Sequence, residues 1–271
     1  MNPYIQQSLK GIYKFLTNSN ERTLFRISLF SGNGKRYVPK KIKFCGLKFQ
    51  VPDCRSFIWQ FKEIFVEEYY RFESSISSPI ILDCGANIGT SCAFFKMIFP
   101  DSKIYAFEAN HKIAKTLKEN LTANNLNNIE VIEKAVWINE DGVQMGMEDA
   151  DASSIYVKSD AVKVESIRLK DFIEKFDQVD MLKMDIEGAE YAVLKDCEKC
   201  LKKVKNIFVE FHSFIYDEQK LSEILKILEL NGFRYYIKSV DDRLKPLINR
   251  INKSNPDMDL QLNIFGYKNE L

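Results

Sequence analysis

Two groups of residues in this 271-residue sequence have the types and spacing to do chemistry. The first is Asp83-Cys84-Gly85-Ala86-Asn87-Ile88-Gly89, where an apolar run ends in glycines and a helical pattern begins. Gly85 and Gly89 remove side chains where a backbone must turn sharply and approach a ligand, and the helix N-terminus beyond them favours an anion. Asp83 is placed to accept hydrogen bonds from an ammonium group or a water. Glu108 follows 25 positions later, at the end of the next apolar run. A carboxylate there accepts from both hydroxyls of a ribose. The second group is Asp185-Ile186-Glu187-Gly188-Ala189-Glu190 together with Glu210-Phe211-His212, each following or ending an apolar run. If those strands are neighbours, Asp185, Glu187, Glu210 and His212 converge on one cleft.

Several readings of these residues stay open. The glycines can serve only a tight turn, with Glu108 in solvent. His212, one of only two histidines, fits a general base for a hydroxyl acceptor, a hydrogen-bonded strand end, or, with Asp185, Glu187 and Glu210, a ligand of a divalent cation. Glu190 reads as a first-turn helix acid or a surface residue, and His111 as a capping-region residue beside the cofactor. The stripe Phe57, Phe61, Phe65 and Tyr69, with Trp59, has helical spacing and reads as core or lid packing. Cys197-x-x-Cys200 reads as core or solvated thiols, because no second pair lies nearby.

The elements that position both groups follow from the hydrophobic period. Short apolar runs at 79–84, 103–108, 129–134, 179–184 and 206–211 read as strands, and helical patterns at 88–99, 112–123, 170–176, 189–201 and 218–230 fall between them. Two further strands, 233–240 and 260–267, form a closing antiparallel pair. The pattern predicts an α/β fold: a Rossmann-like, mostly parallel seven-stranded sheet with one reversed strand and helices on both faces. Residues 79–271 form this domain, with an antiparallel insertion at about 136–167. Residues 1–78 form an N-terminal α+β appendage: a helix at 4–16, a polar loop around 31–35, a strand pair turning at Gly46 and an aromatic helix at 56–72. It reads as a lid or as a substrate or oligomer element.

Composition narrows the chemistry. A hydrophobic content of 45% suits a packed core, and a formal charge of +1 gives no whole-molecule field toward nucleic acid or membrane. A small or neutral substrate fits better. No apolar run reaches the length of a membrane span, no signal-peptide core opens the chain, and six scattered cysteines suit reduced thiols, so a cytoplasmic protein is expected. There is no G-x-x-x-x-G-K-[ST] and no G-x-G-x-x-G, which excludes a P-loop and weighs against a nicotinamide-dependent oxidoreductase.

Taken with the segments Ile81 to Gly89, Phe107-Glu108-Ala109-Asn110, Glu133 to Trp137, Leu182 to Glu190 and Val209 to His212, the sequence resembles the FkbM family of S-adenosylmethionine-dependent methyltransferases over roughly residues 79–212. Ala109 stands where a proline commonly follows the acid. The resemblance implies a class I methyltransferase fold and O-methylation of a hydroxyl on a glycan or small metabolite. By the same resemblance, Asp83, Gly85, Ala86, Asn87 and Gly89 hold the methionine end of the cofactor, Glu108 the ribose and Ala135 the adenine, with Ser154 a further cofactor contact. Asp185, Glu187, Glu210 and His212 become the catalytic candidates, with or without a divalent cation. The runner-up is a non-catalytic cofactor-binding or structural protein of the same fold.

Overall fold

The computed structural model describes residues 13–32, 34–146, 161–252 and 255–269. Helix α1 (Ser19–Ser31) starts where the Asn18 side chain accepts from the Asn20 amide. It was not anticipated, because Phe25, Leu29 and Phe30 face solvent and blur its apolar period. Most of the helix expected at 4–16 lies outside the described residues.

Strands β1 (Lys40–Phe44) and β2 (Leu47–Val51) pair across a turn in which Cys45 and Gly46 have φ of 48° and 81°. Positive φ at both central positions suits the right-handed twist of a tight hairpin. Helix α2 (Cys54–Phe61), capped by Asp53, runs on as one π-helical turn (Lys62–Val66) and stops before Glu68, whose φ is 52°. The aromatic helix is therefore shorter than its sequence suggests. Phe57, Phe61 and Phe65 pack on Phe44, whereas Tyr69 lies beyond the helix against Phe265 and Trp59 is exposed.

The remaining elements, in chain order, are β3 (Ile80–Cys84), α3 (Thr90–Ile98), β4 (Lys103–Phe107), α4 (His111–Ala123), β5 (Ile129–Ile132), β6 (Ala135–Trp137), β7 (Val143–Gly146), β8 (Ala161–Val164), β9 (Ser166–Arg168), α5 (Leu169–Ile173), β10 (Val179–Met184), α6 (Glu190–Asp196), β11 (Val204–Phe214), α7 (Leu221–Leu230), β12 (Arg234–Ser239) and β13 (Met258–Tyr267). Seven of them build one sheet in the order β12-β13-β11-β10-β3-β4-β5. The pairs from β11 through β5 are parallel, and β13 runs antiparallel to both its neighbours. This is the predicted Rossmann-like sheet with one reversed strand. The insertion differs from expectation in one respect: β7 and β8 are antiparallel, but β6 pairs with β9 in parallel. β9, which follows β8, runs alongside β6 in the same direction.

Two hydrophobic clusters cover the sheet faces. On one, α5, α6 and α7 pack against residues such as Leu182, Val209 and Ile264. On the other, α3, α4 and the N-terminal elements share a cluster with Ile81, Met181 and Phe208. Strand order reverses direction between β3 and β10, so the carboxyl ends of these two strands flank the crevice where open α/β sheets bind ligands. No helix among the described residues is long and apolar enough to cross a membrane. All six cysteines are unpaired, and Cys197 and Cys200 are buried.

Candidate functional site

The crevice holds a cleft of about 970 Å³. Of the residues singled out in the sequence, Gly85, Ala86, Asn87, Glu108, Ala135, Asp185 and Glu187 line it. Asp83, Gly89, Glu210 and His212 sit behind its walls, and Ser154 lies outside the described residues.

The β3 to α3 loop is closed by its own amides. Gly85 and Ala86 both donate to Phe107 O, Asn87 donates to a Glu108 oxygen at 3.0 Å, Ile88 to its neighbour's side chain and Gly89 to Ala86 O. The loop therefore has no spare amide between Gly85 and Gly89, and an anion must be met by the first turn of α3. Gly85, at φ 84°, admits no Cβ, which would lie 1.9 Å from Asp185 O. Gly89 serves packing: its Cβ would strike Leu117 of α4 at 2.6 Å. Asp83 is fully buried and accepts from Ser91 Oγ at 2.5 Å, so it steadies α3 and does not face the cleft.

Glu108 spends one oxygen on the Asn87 amide and the other on the Asn110 amide at 2.8 Å, fixing its carboxylate at the cleft edge. Burial pushes its pKa up to about 7, against the pull of those two amides. Asn110 caps α4, and exposed His111 pairs with Glu133 at 2.7 Å, away from the cleft.

On the opposite wall the groups are held by charge. His212 Nδ1 lies 3.1 Å from Glu190, and Nε2 lies 3.6 Å from both Glu187 and Glu210. Burial opposes the imidazolium, but the three carboxylates outweigh it and raise its pKa well above the usual value. A side chain 1% exposed and protonated among carboxylates is poorly suited to meet an acceptor as base, which alters the expectation for His212. Glu190 opens α6 as the first-turn acid expected of it, but it is buried and accepts from the Ile186 and Gly188 amides, which overturns the surface alternative. Gln261 of β13 donates to Glu210 and lies 3.4 Å from His212 Nε2. Glu187 and Asn87, both lining the cleft, adopt left-handed backbone with φ of 53° and 48°. Such strain in non-glycine residues concentrates at functional sites.

Sequence reasoning gave no individual site role to several residues at or beside the cleft. Lys183 donates to Gly85 O at 2.5 Å and lies 3.5 Å from Asp83 and 3.4 Å from Asp185, joining the two walls. Desolvation disfavours its charge, yet Asp185 and Asp83 hold its pKa well above normal. A lysine inside the fully buried strand β10 was the available signal. Gln60, Ile64 and Tyr70 reach the cleft from the N-terminal segment, with Gln60 accepting from Thr90 at 3.2 Å. Glu63, in the π-helical turn, is pushed up to about 7 by burial and by Asp185 and Glu67. Nothing in the local sequence marks a π turn. Finally, Asp185, Glu187 and His212 offer ligand atoms all within 4.8 Å of one another.

Residues 83–235 match the Methyltransferase FkbM domain. The chain is 30% identical over 190 residues to Methyltransferase sdnD of Sordaria araneosa, covering 55% of this chain and 73% of that one. It is 25% identical over 167 residues to 2-O-methyltransferase NoeI of Sinorhizobium fredii, covering 54% and 66% respectively. Among solved structures, Methyltransferase FkbM from Methylobacillus flagellatus is 17% identical with a TM-score of 0.45, covering 78% of this chain and 53% of that one.

Proposed function

Because this chain belongs to the FkbM family of S-adenosylmethionine-dependent methyltransferases, we propose that it methylates a hydroxyl oxygen of a glycan or small metabolite. The observation that carries this reading is the cleft at the β3/β10 switch point, which Glu108, Asp185 and Glu187 line together, with Lys183 3.4 Å from Asp185. The residues present suit the cofactor. Glu108 has a fixed carboxylate for two ribose hydroxyls, Gly85 leaves the loop without a side chain, and Ala135, Val136 and Trp137 supply an apolar wall for adenine.

When bound, S-adenosylmethionine supplies an electrophilic methyl group on a sulfonium. The protein has to orient the acceptor in line and take up its proton. Asp185 and Glu187 line the cleft, so we assign them the hydrogen bond from the acceptor hydroxyl and the proton it releases. Glu63, at about 7, is a further proton store beside Asp185. His212 and Glu210 act behind them as positioning residues. Gln60, Ile64 and Tyr70 serve as a cover on the acceptor side.

One observation favours a second reading. The compact arrangement of Asp185, Glu187 and His212, with Nδ1 of the histidine already directed by Glu190, is the donor set of a divalent cation that would polarise the acceptor. Incubating the protein with methyl-labelled S-adenosylmethionine and a panel of glycans and hydroxylated metabolites tests the proposal. Label appearing as a methyl ether supports it; cofactor binding with no transfer to any hydroxyl, or label on nitrogen or carbon, contradicts it.

A further inference from the structure

The near-zero net charge conceals a strong segregation. Residues 1–50 hold ten Lys and Arg against one acid, Glu21, whereas residues 51–271 hold 29 against 37. The described part of this basic segment also exposes large apolar side chains. Ile27 turns α1 toward the core. On the other side of the helix, Arg22, Phe25, Arg26, Leu29 and Phe30 recur at i, i+3, i+4, i+7 and i+8 and are all exposed. Phe25 and Leu29 are each 57% exposed and Phe30 is 76% exposed.

The adjoining hairpin continues this surface. Arg26 donates to Lys43 O at 2.9 Å, tying the edge of α1 to β1. Lys43 stands directly opposite Lys48 in the β1–β2 register, and Lys41, two residues away on the same face, is exposed with them. Like charges across a strand pair cost stability. No ion pair among the described residues relieves Lys41, Lys43 or Lys48. The surface thus combines uncompensated positive charge with Phe25, Leu29 and Phe30 side chains that stay largely in solvent, Phe25 meeting the Phe15 ring edge-on at 5.6 Å.

We propose that α1 and the β1–β2 hairpin form a peripheral docking surface for an anionic phospholipid bilayer. Phe25, Leu29 and Phe30 enter the interface, and the lysines meet headgroup phosphates. Charge complementarity selects this occupant. A second copy of the same surface would repel the first, and a nucleic acid would leave the apolar helix face in water. A bilayer satisfies both features at once.

Cosedimentation of the full chain with vesicles, in about 150 mM salt so that weak surface attraction is screened, tests the proposal. The protein should pellet with phosphatidylcholine vesicles containing phosphatidylglycerol and remain in solution with phosphatidylcholine alone. Replacing Lys41, Lys43 and Lys48 by Gln should weaken binding roughly 100-fold, at about fivefold per lysine. Separately, Phe25→Ser with Leu29→Ser and Phe30→Ser should abolish pelleting while the melting temperature holds. Any of the following overturns the proposal: no pelleting with anionic vesicles, pelleting that ignores the lysine substitutions, binding to random-sequence RNA but not to vesicles, or a dimer that the triple Ser variant dissociates while vesicle binding is absent.

Discussion

At the wall formed by β3 and β4, the amides of Gly85, Ala86 and Asn87 close on Phe107 O and Glu108, so backbone geometry fixes the site. At the wall formed by β10 and β11, buried Lys183 is set between Asp83 and Asp185, and His212 among Glu187, Glu190 and Glu210, so ion pairs do the fixing. The first wall holds a ligand of constant shape. The second gathers carboxylates around two buried basic side chains, and there we place the orienting and deprotonation of the acceptor. Lys183 is the joint between the two, since it touches both Gly85 O and Asp185.

Replacing that joint should have the largest effect. Lys183→Met leaves Asp83 and Asp185 without their buried cation, and a loss of about 3–5 kcal/mol in unfolding free energy is expected from chemical denaturation. A change under 1 kcal/mol would mean that the two walls are not coupled through this side chain. Gly85→Ala comes next, because a Cβ 1.9 Å from Asp185 O must push the strand ends apart at a left-handed backbone position. About 3 kcal/mol is expected, with cofactor binding lost as well. Retained binding would show that the loop is looser than its hydrogen bonds imply.

The wall to which we assign the cofactor was legible in outline because its signals are local: glycines at a strand-to-helix turn and an acid one strand later. The arrangement of the acceptor wall depends on which strands become neighbours. Asp185 was legible as a strand end, whereas His212 lies inside β11, which runs on to Phe214, and only the adjacency of β10, β11 and β13 buries it and brings Gln261 beside it. Glu190 misled for the same reason, since its place at the start of α6 reads as surface until the Ile186 and Gly188 amides turn back onto it. The part played by residues 60–70 was hidden by the π turn, which shifts the face of the helix presented to the cleft.

A subtler contrast lies in pH. Glu108 has its pKa raised from 4.5 to about 7, so the folded protein carries a proton there that the unfolded chain has lost. Between these values its contribution to stability falls as pH rises, and above about 7 the carboxylate form predominates. Only that form accepts from both ribose hydroxyls, so affinity for S-adenosylmethionine should increase from pH 6 to pH 8 by roughly tenfold. Glu108→Gln should flatten the profile; an unchanged slope would place the titration elsewhere. The smallest effect concerns chelation. EDTA should leave cofactor affinity within about twofold under either reading of the acceptor wall, and loss of turnover alone would favour the cation held by Asp185, Glu187 and His212.

The division of labour between the walls is tested most directly by calorimetric titration of S-adenosylmethionine into Glu108→Ala and His212→Asn. Glu108→Ala should bind about 100-fold more weakly, through the loss of two charge-assisted hydrogen bonds, and His212→Asn should bind within about twofold of the parent protein while losing methyl transfer. Unchanged affinity in Glu108→Ala, or a comparable loss in His212→Asn, would contradict the account.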